Sequence, residues 1–145
     1  MAIINFTPAD AMQTIVVETD YYPTQIIKLE GPTKSSSGKS FNYFADFAIT
    51  DGKYKGKERT IIFNTESNEP FNPGGMQMLP QSYLLQIDAA INNKKIEAVN
   101  FALDTDTLVM KPFDAQWVAT ISEGKAVNQI VSFHPTGYAA TAPAF

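Results

Sequence analysis

From Phe41 to Ile49 the chain alternates without a break. Phe41, Tyr43, Ala45, Phe47 and Ile49 fall on one side, with Asn42, Phe44, Asp46 and Ala48 on the other. A period of two rich in aromatic residues is the pattern of a half-buried strand; a helix would repeat its apolar positions every three or four residues. Asp51-Gly52 then supplies a turn, Lys53-Tyr54-Lys55-Gly56-Lys57 spans it, and Glu58 to Asn64 returns as a β-branched run. This part of the chain is thereby committed to a hairpin, and the hairpin has a basic tip.

The same reasoning finds a second hairpin. Phe113, Ala115, Trp117, Ala119 and Ile121 alternate, Glu123-Gly124-Lys125 turns, and Val127 to Phe133 alternates again. Upstream, Thr24 to Glu30 reads as a strand broken by Gly31-Pro32 and the loop Thr33 to Ser40. Shorter β candidates lie at Thr14–Val17 and Thr107–Met110, and residues 96–103 fit strand or helix. Helical spacing occurs in Pro80 to Asn93, where Leu84, Ile87 and Ile91 form one stripe. Near the start, Thr7, Pro8 and Asp10 have the chemistry of an N-cap, a first helical position and an acidic first turn. Strands interrupted by one helix after the third main strand predict a mainly β, OB-like barrel, five-stranded or slightly larger, with one α-helix between the third and fourth main strands. Residues 1–134 are expected to form that single domain, and residues 135–145 a loose C-terminal tail.

Composition narrows the chemistry. A chain of 145 residues, 44% apolar and 18% charged, can bury a core without cross-links. With no cysteine and a single histidine, thiol nucleophiles, Cys-based metal centres and His clusters are excluded. His134 is expected as a surface or hydrogen-bonded residue, because no nucleophile-elbow pattern accompanies it. Gly38-Lys39-Ser40 fails as a phosphate loop: position 33 is Thr where the motif needs Gly, and a strand follows where it needs a helix. Asp104-x-Asp106 reads as a solvated turn more readily than a cation site. Asn5-Phe6-Thr7 matches a glycosylation sequon by chance, since no basic, apolar leader begins the sequence. No apolar run has the length of a membrane span. The expectation is a non-enzymatic protein with no cofactor, no metal and no membrane association.

Charge supplies the functional clue. The net charge is −4, yet Lys34, Lys39, Lys53, Lys55, Lys57 and Arg59 face only three carboxylates between positions 34 and 59. That segment carries a surplus of three positive charges, and the rest of the chain is seven negative. Tyr54 lies among the lysines, and Phe44 is the aromatic on the otherwise polar side of its strand. Cations that track phosphates, with π faces on which bases stack, are what single-stranded nucleic acid requires. On an OB barrel the ligand face is formed by strands two and three and their bordering loops. Lysines at a hairpin tip also serve solubility and edge protection, and Phe41, Tyr43, Phe47 and Trp117 have the character of core residues. The candidate nucleic-acid-binding set is Lys34, Lys39, Tyr43, Phe44, Lys53, Tyr54, Lys55, Lys57 and Arg59. Tyr43 enters it as the stacking residue should the strand phase be reversed, since a slip of one residue exchanges the faces.

The run Ser37-Gly38-Lys39-Ser40-Phe41, then Phe44-x-x-Phe47-x-Ile49-x-Asp51-Gly52-x-Tyr54-x-Gly56-Lys57, resembles small phage-encoded OB-fold single-stranded DNA-binding proteins and related replication or recombination accessory proteins. Phe63-Asn64-Thr65 and Asn128-x-Ile130-x-x-Phe133-x-Pro135 are similar in style, so the likeness spans residues 24 to 135. It implies single-stranded DNA as ligand, a role in phage DNA replication or recombination, and work in the cytoplasm of an infected cell. Many such proteins recruit partners through an acidic tail ending in an aromatic residue. Phe145 is present here but the acids are not, which limits what the tail can offer replication or recombination proteins. The alternative expectation is a phage structural or assembly protein, such as a small β-barrel decoration or connector subunit. Neither reading fixes the oligomeric state.

Overall fold

The computed structural model describes residues 2–34, 41–64, 82–97 and 103–140. A short helix α1 (Pro8–Gln13) precedes strands β1 (Asp20–Lys34), β2 (Phe41–Ile49) and β3 (Glu58–Asn64). Helix α2 (Ser82–Asn92) follows, then β4 (Phe113–Ser122) and β5 (Lys125–His134). The five strands form one antiparallel sheet in the order β3-β2-β1-β4-β5. No helix among the described residues is long and apolar enough to cross a membrane.

β1 makes this order possible. Its first part, Asp20 to Thr24, pairs with β4, and Thr24 to Lys34 pairs with β2. Register shifts between Ile26 and Lys28 and between Glu30 and Thr33 bend the strand. The second shift absorbs Gly31-Pro32, the pair expected to end the strand. Gly31 is required there: it has φ +140°, and a Cβ would lie 2.7 Å from Cδ1 of Tyr43 and 2.9 Å from the Asn42 carbonyl oxygen.

The bent sheet curls around an aromatic core. Phe47 of β2 stacks on Phe133 of β5 with ring centroids 5.9 Å apart and meets Phe113 of β4 edge-on at 6.2 Å. β2 and β5 are separated by β1 and β4, and in a flat sheet they would lie about 14 Å apart. Contact between them therefore measures strong coiling. Tyr83, Leu84, Ile87 and Ala90 of α2 complete the core against β4 and β5, with Tyr83 edge-on to Phe133 at 5.4 Å. Trp117, fully buried, donates its indole N–H to Thr24 Oγ1 at 3.1 Å.

The expected barrel is corrected: the sheet is not closed, and among the described residues β3 and β5 are its edges. The reason lies in the N-terminal segment. Thr14–Val17, expected as a β candidate, forms no strand but lies across the seam between the edges as a strap. At one end the Gln13 side chain donates to the Gly56 carbonyl (2.8 Å) and accepts from the Glu58 amide (3.0 Å). At the other, Asn128 of β5 accepts from the Val17 amide (2.9 Å) and donates to the Val17 carbonyl (3.0 Å), standing in for one rung of a ladder. The strap starts from α1, where Thr7 and Asp10 form a reciprocal capping box. Thr107–Met110 is likewise no strand. A 3-10 turn at Thr105–Leu108 leads to one parallel bridge between Val109 and Ile26. Asp104 caps that turn, accepting from the Asp106 amide at 3.0 Å.

Residues 135–140, within the stretch expected to be a tail, pack against the sheet. Tyr138 lies parallel to His134 at 3.8 Å, and Tyr21 meets both rings edge-on, so residues 135–140 are docked on the outer side of the sheet. Residues 141–145, including Phe145, lie outside the described residues.

Candidate nucleic-acid interface

The two faces of β2 are those the alternation predicts. Ala45, Phe47 and Ile49 are buried, and Tyr43 packs against them. The phase is not reversed, so Tyr43 is a core-flanking residue with Gly31 beneath its ring. Phe44 points outward, half-buried, opposite Ile62 of β3 and Glu30 of β1. Ile62 is 58% exposed and extends the apolar spot around Phe44. Sequence reasoning missed it because Ile61, Ile62 and Phe63 are all apolar and their run carries no alternation.

The same outward face holds charges of both signs. Lys28 pairs with Glu30 at 3.0 Å, and this hydrogen bond raises the ammonium pKa above its ordinary value. Asp46 sits across from Lys28 and accepts from the Thr60 hydroxyl at 2.5 Å. Both carboxylates are thus held by a donor of their own, leaving Phe44 and Ile62 between them.

The nine candidate residues do not share one patch. Lys34 is exposed at the end of β1; Lys39 lies outside the described residues. At the opposite end of β2, the turn of residues 50–57 is closed by Gly56 N–H to Ile49 O at 2.9 Å and presents Lys53 and Lys55 to solvent. Lys53 lies 4.9 Å from the centroid of the Tyr54 ring and 3.9 Å from a Glu18 carboxylate oxygen. Tyr54 is itself half-buried and edge-on to Tyr22 at 5.7 Å. Burial, with Tyr54 and nearby carboxylates, pushes the Tyr22 phenol up to about 12. A cleft of about 390 Å³ beside this pair is lined by Glu18, Asp20 and Asp51 as well as Lys53, so the tip is not uniformly positive.

Lys57 is placed differently from its neighbours. It is only 8% exposed, and its ammonium donates to the Gln13 carbonyl at 2.9 Å. Burial, with the adjacent Arg59 guanidinium, lowers its pKa. Lys57 therefore fastens the strap and does not present its charge on the open surface. Arg59 is exposed beside it, in register with Phe47 on the inner side of β3, and faces the seam and not the Phe44 face.

Other titratable groups gather at the ends of β4 and β5. Ser132 Oγ is 2.8 Å from His134 Nε2, and burial lowers the His134 pKa while Asp114 partly offsets the shift. The stacked Tyr138 ring covers this histidine. Among the described residues, no group of three or more histidine or carboxylate side chains could hold a metal ion. Compared with known proteins, the sequence matches no protein-family model and no curated protein.

Proposed function

We propose that the chain is a non-enzymatic single-stranded DNA-binding protein of OB-like connectivity, acting in phage DNA replication or recombination in the cytoplasm of an infected cell. One observation carries this reading. Phe44 stands half-exposed on the outward face of β2, midway between exposed lysines at both ends of that strand. β2 has nine residues, a length of about 30 Å, so a strand laid along it meets Lys53 and Lys55 beyond one end, while Lys34, in register with residue 41 on the Tyr43 side, borders the other. A base stacked on Phe44 contributes about 1–3 kcal/mol. The sheet order adds support: a β1-β2-β3 meander, a helix, then a β4-β5 hairpin returning beside β1 is the element order of a five-stranded OB barrel left open between β3 and β5. Glu30 and Asp46 on the same face limit the affinity and make it dependent on low salt.

Titration of fluorescent oligo-dT and a matched duplex, at low and physiological salt, tests the reading. Single-strand binding that weakens steeply with salt is expected, and Phe44→Ala should weaken it about tenfold with an unchanged unfolding midpoint. Tyr54→Ala is the poorer probe, because its ring packs on Tyr22 and the core. Absence of single-strand binding at low salt removes the proposal.

A second reading, a structural or assembly protein of the phage particle, is favoured by a different observation. Ile3, Ile4 and Phe6 are 81%, 73% and 75% exposed in the segment preceding α1. Large apolar side chains gathered on one exposed arm suit protein contact. Stoichiometric presence in purified particles would select this reading, and absence from them would exclude it.

A further inference from the structure

The seam between β3 and β5 contains an unusual charge. Ammonium groups are rarely buried without a counter-charge, because desolvation is costly. Lys57 is buried, yet no carboxylate lies within ion-pair distance of it among the described residues. Its one hydrogen bond goes to a neutral carbonyl, Gln13 O at 2.9 Å, which leaves two of its three N–H donors for another partner. The Arg59 guanidinium, a like charge, lowers the Lys57 pKa further.

Both cations line a cleft of about 260 Å³ that runs between the strap and the two sheet edges. A single water occupies about 30 Å³, so the cleft has room for a small oxyanion with solvent. Its other polar groups are largely engaged. Asn128 is held by Val17, and Thr14 Oγ1 donates to the Ala11 carbonyl at 2.7 Å. The Glu58 carboxylate, also at the cleft, accepts from Gln13 Nε2 at 3.3 Å.

We propose that this cleft is an anion site that takes a phosphate group between Lys57 and Arg59. The phosphate supplies the counter-charge that the buried ammonium lacks and relieves its repulsion with the guanidinium. Arg59 offers a planar pair of donors suited to two phosphate oxygens, and Lys57 a point charge. The source of the phosphate, a nucleic-acid backbone or a free phosphate compound, is the part of the inference that rests on the DNA-binding reading.

Backbone amide NMR of the full chain separates the possibilities, with inorganic phosphate at constant ionic strength as one probe and oligo-dT as the other. Phosphate should shift the amides of residues 13–16, 57–59 and 126–128 saturably. Arg59→Gln, an exposed change that leaves the core intact, should weaken it about tenfold. Lys57→Met, which keeps the volume and removes the charge, should abolish it. Glu58→Gln should tighten it by removing the repelling carboxylate.

Should oligo-dT shift the same amides and respond to the same variants, the seam is a backbone-phosphate contact of the DNA site. Seam shifts with phosphate but no binding of oligo-dT uphold the anion site, assign it to free phosphate compounds, and discard the DNA reading. Binding of oligo-dT with seam amides unmoved by phosphate, and parental affinity in Arg59→Gln, overturns the inference and leaves the DNA reading standing. Phosphate shifts confined to other residues overturn it as well.

Discussion

Asn128 makes the strap part of the fold, and Asn128→Ala tests that directly. The side chain is 4% exposed and satisfies both backbone groups of Val17, a residue with no exposure at all. Removing the amide deletes these two hydrogen bonds, worth about 1 kcal/mol each, and a longer one to the Val118 carbonyl (3.4 Å), and leaves the Val17 N–H and C=O buried, each costing about 1–3 kcal/mol unless water reaches it. Partial relaxation of the strap lets some water in, so a loss of about 3 kcal/mol is expected. Trp117 is the single tryptophan, fully buried on β4, so urea denaturation followed by its fluorescence reports the core beside the seam. The midpoint should fall with an unchanged slope. Gln13→Ala removes the side-chain attachment at the other end, to Gly56 and Glu58, and leaves only the Lys57 bond to the residue-13 carbonyl there. If the strap docks as one unit, the double variant should lose less than the sum of the two single losses, because the first cut already frees it. A loss below about 0.5 kcal/mol for Asn128→Ala, with Val17 still protected from hydrogen exchange, would refute the claim that this side chain replaces a ladder rung.

Two further outcomes follow from other buried polar groups. Thr24→Val preserves shape but removes the acceptor of the buried Trp117 indole N–H; a loss of about 1–3 kcal/mol is expected in the same urea assay, and parental stability would show that the bond contributes nothing. His134 has its pKa depressed by burial, so the unfolded chain takes up the proton first and stability falls as pH drops below the ordinary 6.5 and through the folded value. Thermal unfolding across that range should show a shallower decline in His134→Gln than in the parent, and parallel declines would remove His134 from the acid response.

The strands carrying local periodicity were legible, and the pieces held by distant partners were not. The limits of β2 and β3 and the α1 cap follow from alternation, turn chemistry and capping residues within a few positions of one another. α2 follows from its apolar stripe, Pro80 and Gln81 lying outside the described residues. β1 extends past Gly31-Pro32 because a bulge absorbs what an even ladder could not. The strap was read as a strand because Thr14 to Val17 has strand composition. Its partner, an Asn side chain 111 positions away, leaves no local mark. Lys57 was counted with the surface cations for a related reason. Composition sums charges irrespective of direction, and only the docking of Gln13 on the hairpin turns this ammonium inward.

That inward turn changes what the basic segment can do. Of its six cations, Lys39 lies outside the described residues, Lys57 is buried, and Lys53 is drawn toward Glu18 and the Tyr54 ring. The exposed cations, Lys34, Lys53, Lys55 and Arg59, occupy the end of β1, the hairpin tip and the seam. A small anion can therefore meet only one of these places, whereas a polyanion following β2 and its turn can meet several. The two modes differ in their response to salt. Each backbone phosphate neutralised on a single strand contributes about −0.7 to the slope of log affinity against log salt. A strand held by Lys34, Lys53, Lys55 and Arg59 together gives a slope of about −3, while one phosphate held at the seam alone gives about −0.7. The slope for oligo-dT, measured in the parent and in Arg59→Gln, thus counts the contacts. A shallow slope that Arg59→Gln abolishes would confine DNA to the seam, and a steep slope reduced by about one phosphate would place the strand along β2 with the seam as one of its contacts.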